Sequence, residues 1–237
     1  MKKNDTQTTD TPVVSLENVD ICHDGAPVLK GIDLRIAHGE FVYLIGKSGT
    51  GKTSLLRCLY ADLPTSSGKA TVCGFDLAKL RYRHIPRLRR RIGMIFQDFQ
   101  LLGDRTVGAN LEFVLRAQGW RHSKEIRQRV NETLEAVGIA DKRDEMPHHL
   151  SEGQQQRVGI ARALVGNPDL ILADEPTGNL DPVTSAEIMQ LLSDMGHTTG
   201  TTMLISTHDF MTIERFPARV LLCEGGTVVD SEAPAAQ

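Results

Sequence analysis

Apolar and polar positions change period several times along the chain. From Val13, VVSLENVDI and the stretch up to IDLRI alternate with period two and are separated by a turn at Asp24-Gly25. This predicts two half-buried strands. FVYLIG, from Phe41 to Gly46, is a short continuous apolar run closed by glycine, the pattern of a buried strand. A glycine-rich loop follows, then a helix carrying Leu55, Leu56 and Leu59; IGMIF predicts the next strand. From about Gln97 to Gly153 the period turns helical. Ile126, Val130, Leu134 and Val137 recur at helical spacing, with Ser123 as N-cap and Gly138 just past the end. A helix is expected over 151–166, then the strand DLILAD, then a helix starting at Pro182 with Asp181 as N-cap and Gly196 after its end. TTMLIST predicts another strand, and RVLLCEGGTVVD a hairpin about Gly225-Gly226. Strands alternating with helices imply an α/β fold, a mostly parallel sheet with helices on its faces.

Composition narrows the setting. The 237 residues hold 27 Lys+Arg against 30 Asp+Glu, a net charge of -3, which argues against a dedicated nucleic-acid binder. The length suits one domain with a sizeable subdomain. Six arginines crowd one segment: Arg81, Arg83, Arg87, Arg89, Arg90 and Arg91. Tyr82 is the one aromatic there to stack on a base. The run therefore reads as a solvated face, or as a surface for anionic headgroups or a partner protein, and no nucleic acid is expected. Cys22, Cys58, Cys73 and Cys223 form no CxxC pair, so neither a disulfide framework nor a cysteine zinc site is expected, and a reducing cytoplasm is the natural setting. No apolar run approaches the ~18–20 residues of a membrane span. Residues 1–12 contain no apolar signal core and are expected to be a disordered tail, with 13–230 folded and 231–237 a second tail.

Gly46-Lys47-Ser48-Gly49-Thr50-Gly51-Lys52-Thr53 matches GxxxxGK[ST]. Glycines let the backbone turn its N–H groups toward phosphate oxygens, and the following helix adds its positive N-terminal end. Lys52 would reach the β- and γ-phosphates and the Thr53 hydroxyl would ligate Mg²⁺. DLILADE carries two carboxylates to the end of a buried strand, where ligands of open α/β sheets sit. Asp174 would hold Mg²⁺, directly or through water, and Glu175 would orient and deprotonate a water. Leu150-Ser151-Glu152-Gly153-Gln154 opens a helix; Ser151 with Gln154 makes a capping box, and the bare glycine beside it suits an anion.

Together these residues resemble the ATP-binding cassette (ABC) ATPases, over about Val13 to Asp230. The resemblance implies a P-loop NTPase fold: a RecA-like core of mostly parallel sheet, an N-terminal antiparallel β portion and a helical signature subdomain over about 98–155. It implies ATP and Mg²⁺ as cofactors, with Gly46 to Thr53, Ser54 and Gln97 on the nucleotide, and Gln97 also near the metal with Thr53 and Asp174. LSEGQ stands where the family has LSGGQ, so that Ser151, Gly153 and Gln154 would meet ATP held by a second copy. Asp181 falls in the D-loop, and His208, in LISTHD, matches the switch histidine. Two positions depart from the pattern. Glu152 replaces a glycine and is expected to point away from phosphate, and His23 stands where an aromatic residue usually stacks on adenine.

The stretches RRRIGMIFQDFQLLGDRTV and HLSEGQQQRVGIARALVGNPDLILADEPTGNLD most resemble the family's cell-division branch. Lipoprotein-release and macrolide-export ATPases share EPTGNLD and the QQQRVGIARAL run. The cell-division resemblance implies an ATP-bound homodimer on the inner face of the plasma membrane, held there by an integral membrane partner of the FtsX type.

Overall fold

The computed structural model describes residues 11–231; most of the two expected tails lies outside them. The chain opens with β1 (Val14–His23) and β2 (Ala26–Ile36), paired antiparallel, and β1 pairs on its other edge with β4 (Thr65–Val72). A two-residue β5 (Phe75–Asp76) completes this four-stranded sheet in the order β2-β1-β4-β5. The second sheet has six strands. They are β3 (Phe41–Ile45), β6 (Ile92–Ile95), β7 (Leu170–Asp174), β8 (Thr202–Thr207), β9 (Arg219–Glu224) and β10 (Thr227–Ser231). Their order is β10-β9-β3-β8-β7-β6, parallel throughout except for the closing β9–β10 hairpin.

The period of two inside the apolar strands decides which core each side chain joins. Val42 and Leu44 of β3, Leu170 and Leu172 of β7, and Leu204 of β8 face the antiparallel sheet and α1 (Lys52–Leu59). Tyr43, Ile45, Ile171, Ala173, Met203 and Ile205 face the other way. There they meet the apolar stripes of α3 (Val107–Ala117), α4 (Ser123–Ala136), α5 (Glu152–Leu164) and α6 (Pro182–Thr199). The parallel sheet is thus the middle of three layers, buried on both faces, which is why its strands are continuous apolar runs. Two short helices complete the fold: α2 (Ile85–Arg89) sends Leu88 into the first core and α7 (Phe210–Arg215) sends Ile213 into the second.

Two predicted helix ends move. α4 is preceded by His122, with no side-chain cap, and Ser123 is its first helical residue; assignments of helix ends commonly differ by a residue. α6 runs through Gly196 and stops at Gly200, which is left-handed with φ 64°. Gly196 is buried in the helix interior, facing Phe41 and Met203 at ordinary contact distance and without a left-handed φ, so the helix passes through it and ends at Gly200. The arginine run is not uniformly solvated. Arg89 donates to the carbonyls of Tyr60 and Ala61, both at 3.2 Å, and stacks on the Tyr60 ring at 4.5 Å, while Arg91 pairs with Asp169. Arg81, Arg83 and Arg87 are exposed.

Candidate functional site

The site forms at the C-terminal ends of adjacent parallel strands. Ile45 of β3 is level with Thr207 of β8, Ser206 with Asp174 of β7, and Ala173 with Ile95 of β6. Four turns therefore leave one edge side by side. They carry Gly46 onward from β3, His208 from β8, Glu175 from β7 and Gln97 from β6.

The first turn wraps the N-terminus of α1. Gly46 has φ 154°, and a Cβ there would sit 2.4 Å from the Cys223 carbonyl and 2.7 Å from Thr50 Oγ1, so no other residue fits. Gly51, at the N-cap, contributes no side-chain oxygen, which leaves the first-turn N–H groups available to phosphate. Lys52 is 5% exposed and its Nζ donates to Gly46 O at 2.8 Å and Lys47 O at 3.2 Å. From there it faces Glu175 Oε1 at 3.6 Å, and Glu175 Oε2 lies 3.0 Å from His208 Nδ1. Lys52, Glu175 and His208 thus form one connected line. Glu175 sits at φ 46°, a left-handed conformation uncommon for a glutamate and of the kind found at functional sites.

Asp174 and Glu175 share a support that sequence reasoning missed. Ser206 is fully buried; its Oγ donates to Asp174 Oδ1 at 2.7 Å and accepts from Glu175 N at 3.0 Å. The available signal was a polar residue inside the apolar run TTMLIST. Gln97 exchanges two hydrogen bonds with Asn179: its Nε2 donates to Oδ1 at 3.3 Å, and Asn179 Nδ2 donates to Gln97 O at 3.0 Å. Among the described residues no group of three His, Cys, Asp or Glu side chains could hold a metal alone. The donor set of Thr53, Asp174 and Gln97 is hard oxygen and fits Mg²⁺ that keeps waters and phosphate oxygens as its other ligands.

The LSEGQ segment lies elsewhere. Ser151 Oγ accepts from Gln154 N at 3.3 Å and Gln154 Oε1 accepts from Ser151 N at 3.0 Å, the capping box expected. Glu152 is exposed. Gly153 abuts α6: a Cβ would come 2.6 Å from Thr184 Cγ2. Thr184 in turn bonds Asp181, whose Oδ1 caps α6 by accepting from Val183 N at 3.0 Å and Thr184 N at 3.1 Å. These bonds, the Thr184 hydroxyl foremost, hold the Asp181 carboxyl below the usual aspartate range. α5 packs on the opposite face of the parallel sheet from α1, so the chain does not bring its LSEGQ segment over its own Gly46–Thr53 loop. His23 ends β1 at the tip of the first hairpin, half-exposed and 4.0 Å from Asp24. The same hairpin abuts the P-loop through Val28 and Leu29, which a Cβ on Gly51 would meet at 3.0–3.1 Å.

A family model described as ABC transporter matches residues 29–178. The chain belongs to that family. Within it, the chain is 47% identical over 206 residues to the cell division ATP-binding protein FtsE of Mycobacterium tuberculosis, covering 87% of this chain and 89% of that protein. It is 41% identical over 210 residues to FtsE of Streptococcus pneumoniae, covering 89% and 90%. The methionine import ATP-binding protein MetN of Carboxydothermus hydrogenoformans is 41% identical over 221 residues, covering 92% of this chain but 65% of its own length. Among solved structures, the dimeric post-hydrolysis state of the ATP-binding cassette MJ0796 with ADP and Pi superposes with a TM-score of 0.83. It is 34% identical and covers 94% of this chain and 100% of that one. The chain is an FtsE-type ABC ATPase, with the P-loop NTPase fold that its motifs imply.

Proposed function

We propose that this ATPase is the cytoplasmic energy-converting subunit of an FtsE–FtsX-like complex in cell division, seated on the inner face of the plasma membrane through an integral membrane partner. ATP-driven dimerisation would move that partner, which in turn regulates peptidoglycan hydrolysis. The observation that carries the chemistry is the line from Lys52 through Glu175 to His208 at adjoining strand ends. The identity of 41–47% to FtsE proteins over almost the whole chain supports the biological role.

The mechanism follows from the side chains. Lys52 and the N–H groups of Gly46 to Thr53 bind the phosphates, with Ser54 behind them in the first turn of α1, and His23 offers its ring to the base. Thr53, Asp174 and Gln97 would hold Mg²⁺, which would supply positive charge to the phosphate oxygens. Glu175 orients a water and takes its proton, and His208 holds the second oxygen of Glu175 so that the first faces the phosphate. Ser151, Gly153 and Gln154 serve the nucleotide of a second copy, because α5 and α1 lie on opposite faces of the sheet. Val183, Phe210 and Met211, next to Asp181 and His208, are 71%, 65% and 77% exposed, an apolar rim suited to burial against that copy.

The test is co-purification. Tagged Glu175→Gln chain is isolated from detergent-solubilised membranes of its own host, with and without ATP, and bound proteins are identified by mass. An FtsX-like membrane protein is the expected partner. Recovery instead of a lipoprotein-release, macrolide-export or methionine-import permease would keep the site chemistry and replace the cellular role. Recovery of nucleic acid with no membrane protein would refute the membrane-coupled reading.

A further inference from the structure

Gln156 is a fully buried polar side chain one turn into α5. Burying an amide is costly unless it is hydrogen-bonded, so its partner is informative. Its Nε2 donates to the carbonyl of Pro176 at 2.6 Å, and its Oε1 has no partner among the described residues. A carbonyl can only accept, which fixes the amide's orientation.

Pro176 follows Glu175 directly and is itself buried. Glu175 is held in its left-handed conformation from both sides: its N–H by Ser206, and its carbonyl by Gly178 N at 3.0 Å. Proline has no N–H, so its carbonyl is the one backbone hydrogen-bonding group with which position 176 can be tied down. Gln156 takes that group. We propose that Gln156 is a positioning residue for ATP hydrolysis, holding the Pro176 carbonyl and through it the backbone turn that presents Glu175. The proposal rests on Glu175 being the group that activates water. It also ties the helix that opens on Ser151 to the hydrolytic loop of the same chain.

The test uses the purified full chain. Gln156→Leu keeps the bulk and loses the donor. Its kcat is expected to fall at least tenfold, with KM and the calorimetric Kd for ATP within about threefold of the parent chain. Gln156→Glu adds a signature that loss of packing would not. Burial raises a carboxyl pKa, and the protonated acid can donate to Pro176 O whereas the carboxylate cannot. The kcat of that variant should therefore be high at low pH and fall as pH rises, relative to the parent chain's profile, with ATP affinity flat over the same range. A Gln156→Leu kcat within about threefold of the parent chain would overturn the proposal. So would loss of ATP binding along with turnover, or a Gln156→Glu profile matching the parent's. Glu175→Gln is assayed beside them. If it still turns over, the assignment of the base has failed; if it is inactive while Gln156→Leu is fully active, only the positioning role has.

Discussion

Replacing Ser206 by alanine removes one hydroxyl that serves two residues of the site. Ser206 Oγ donates to Asp174 Oδ1 at 2.7 Å and accepts from Glu175 N at 3.0 Å, in a fully buried position. The two bonds are unequal in consequence. Glu175 N keeps a second acceptor, Ser206 O at 3.1 Å, so it is not orphaned. Asp174 loses a bond to a carboxylate, a class that contributes ~1.5–3 kcal/mol. A net loss of about 2 kcal/mol follows, or a fall in Tm of roughly 4–8 °C for a chain of this length. Asp174 also becomes free to turn, so turnover in Mg²⁺ should drop about tenfold, while ATP affinity without Mg²⁺ should stay within about threefold because Lys52 and the P-loop are untouched. Differential scanning calorimetry reads the first quantity, a phosphate-release assay the second and titration calorimetry the third. A Tm within about 1 °C of the parent chain, with unchanged turnover, would refute the reasoning.

Three further outcomes are expected. Lys52→Ala should weaken ATP binding at least tenfold by calorimetry, since Nζ is held at the mouth of the loop by Gly46 O and Lys47 O; unchanged affinity would contradict its phosphate role. His23→Tyr should tighten ATP binding if His23 is the adenine platform, and unchanged or weaker binding would place the base elsewhere. Burial pushes the thiols of Cys58 and Cys73 up to about 12, because it disfavours the thiolate. Both should resist alkylation in the native chain at neutral pH and become reactive only as pH rises far above it, whereas the half-buried Cys22 should label first by mass spectrometry.

The parts of the fold legible in the sequence are those whose cause is local. FVYLIG followed by glycine, and DLILAD followed by glutamate, each contain a buried strand and the turn that ends it. The capping box at Ser151 and the Asp181 cap were legible for the same reason, since cap and partner lie three residues apart. Strand order was not. That β8 lies between β3 and β7, and so sets His208 beside Glu175, depends on pairing between residues far apart in the chain. Ser206 and Gln156 were missed for the same reason, as their bonds to Asp174 and Pro176 span 32 and 20 positions. Gly196 misled because a glycine near a helix end usually stops it, whereas here a second glycine four residues on, Gly200, takes the left-handed conformation that ends the helix.

The most direct test of the account is the Glu175→Gln chain itself, measured for ATP turnover and for mass in solution with Mg²⁺ and ATP. The substitution keeps the side chain's size and shape but replaces the carboxylate that faces Lys52 and His208 by a neutral amide, which removes the proton acceptor. The account predicts retained ATP affinity, turnover lowered by about a hundredfold or more, and a dimer that persists as long as ATP is present. Turnover within about threefold of the parent chain would contradict it, because the water would then be activated by some other group.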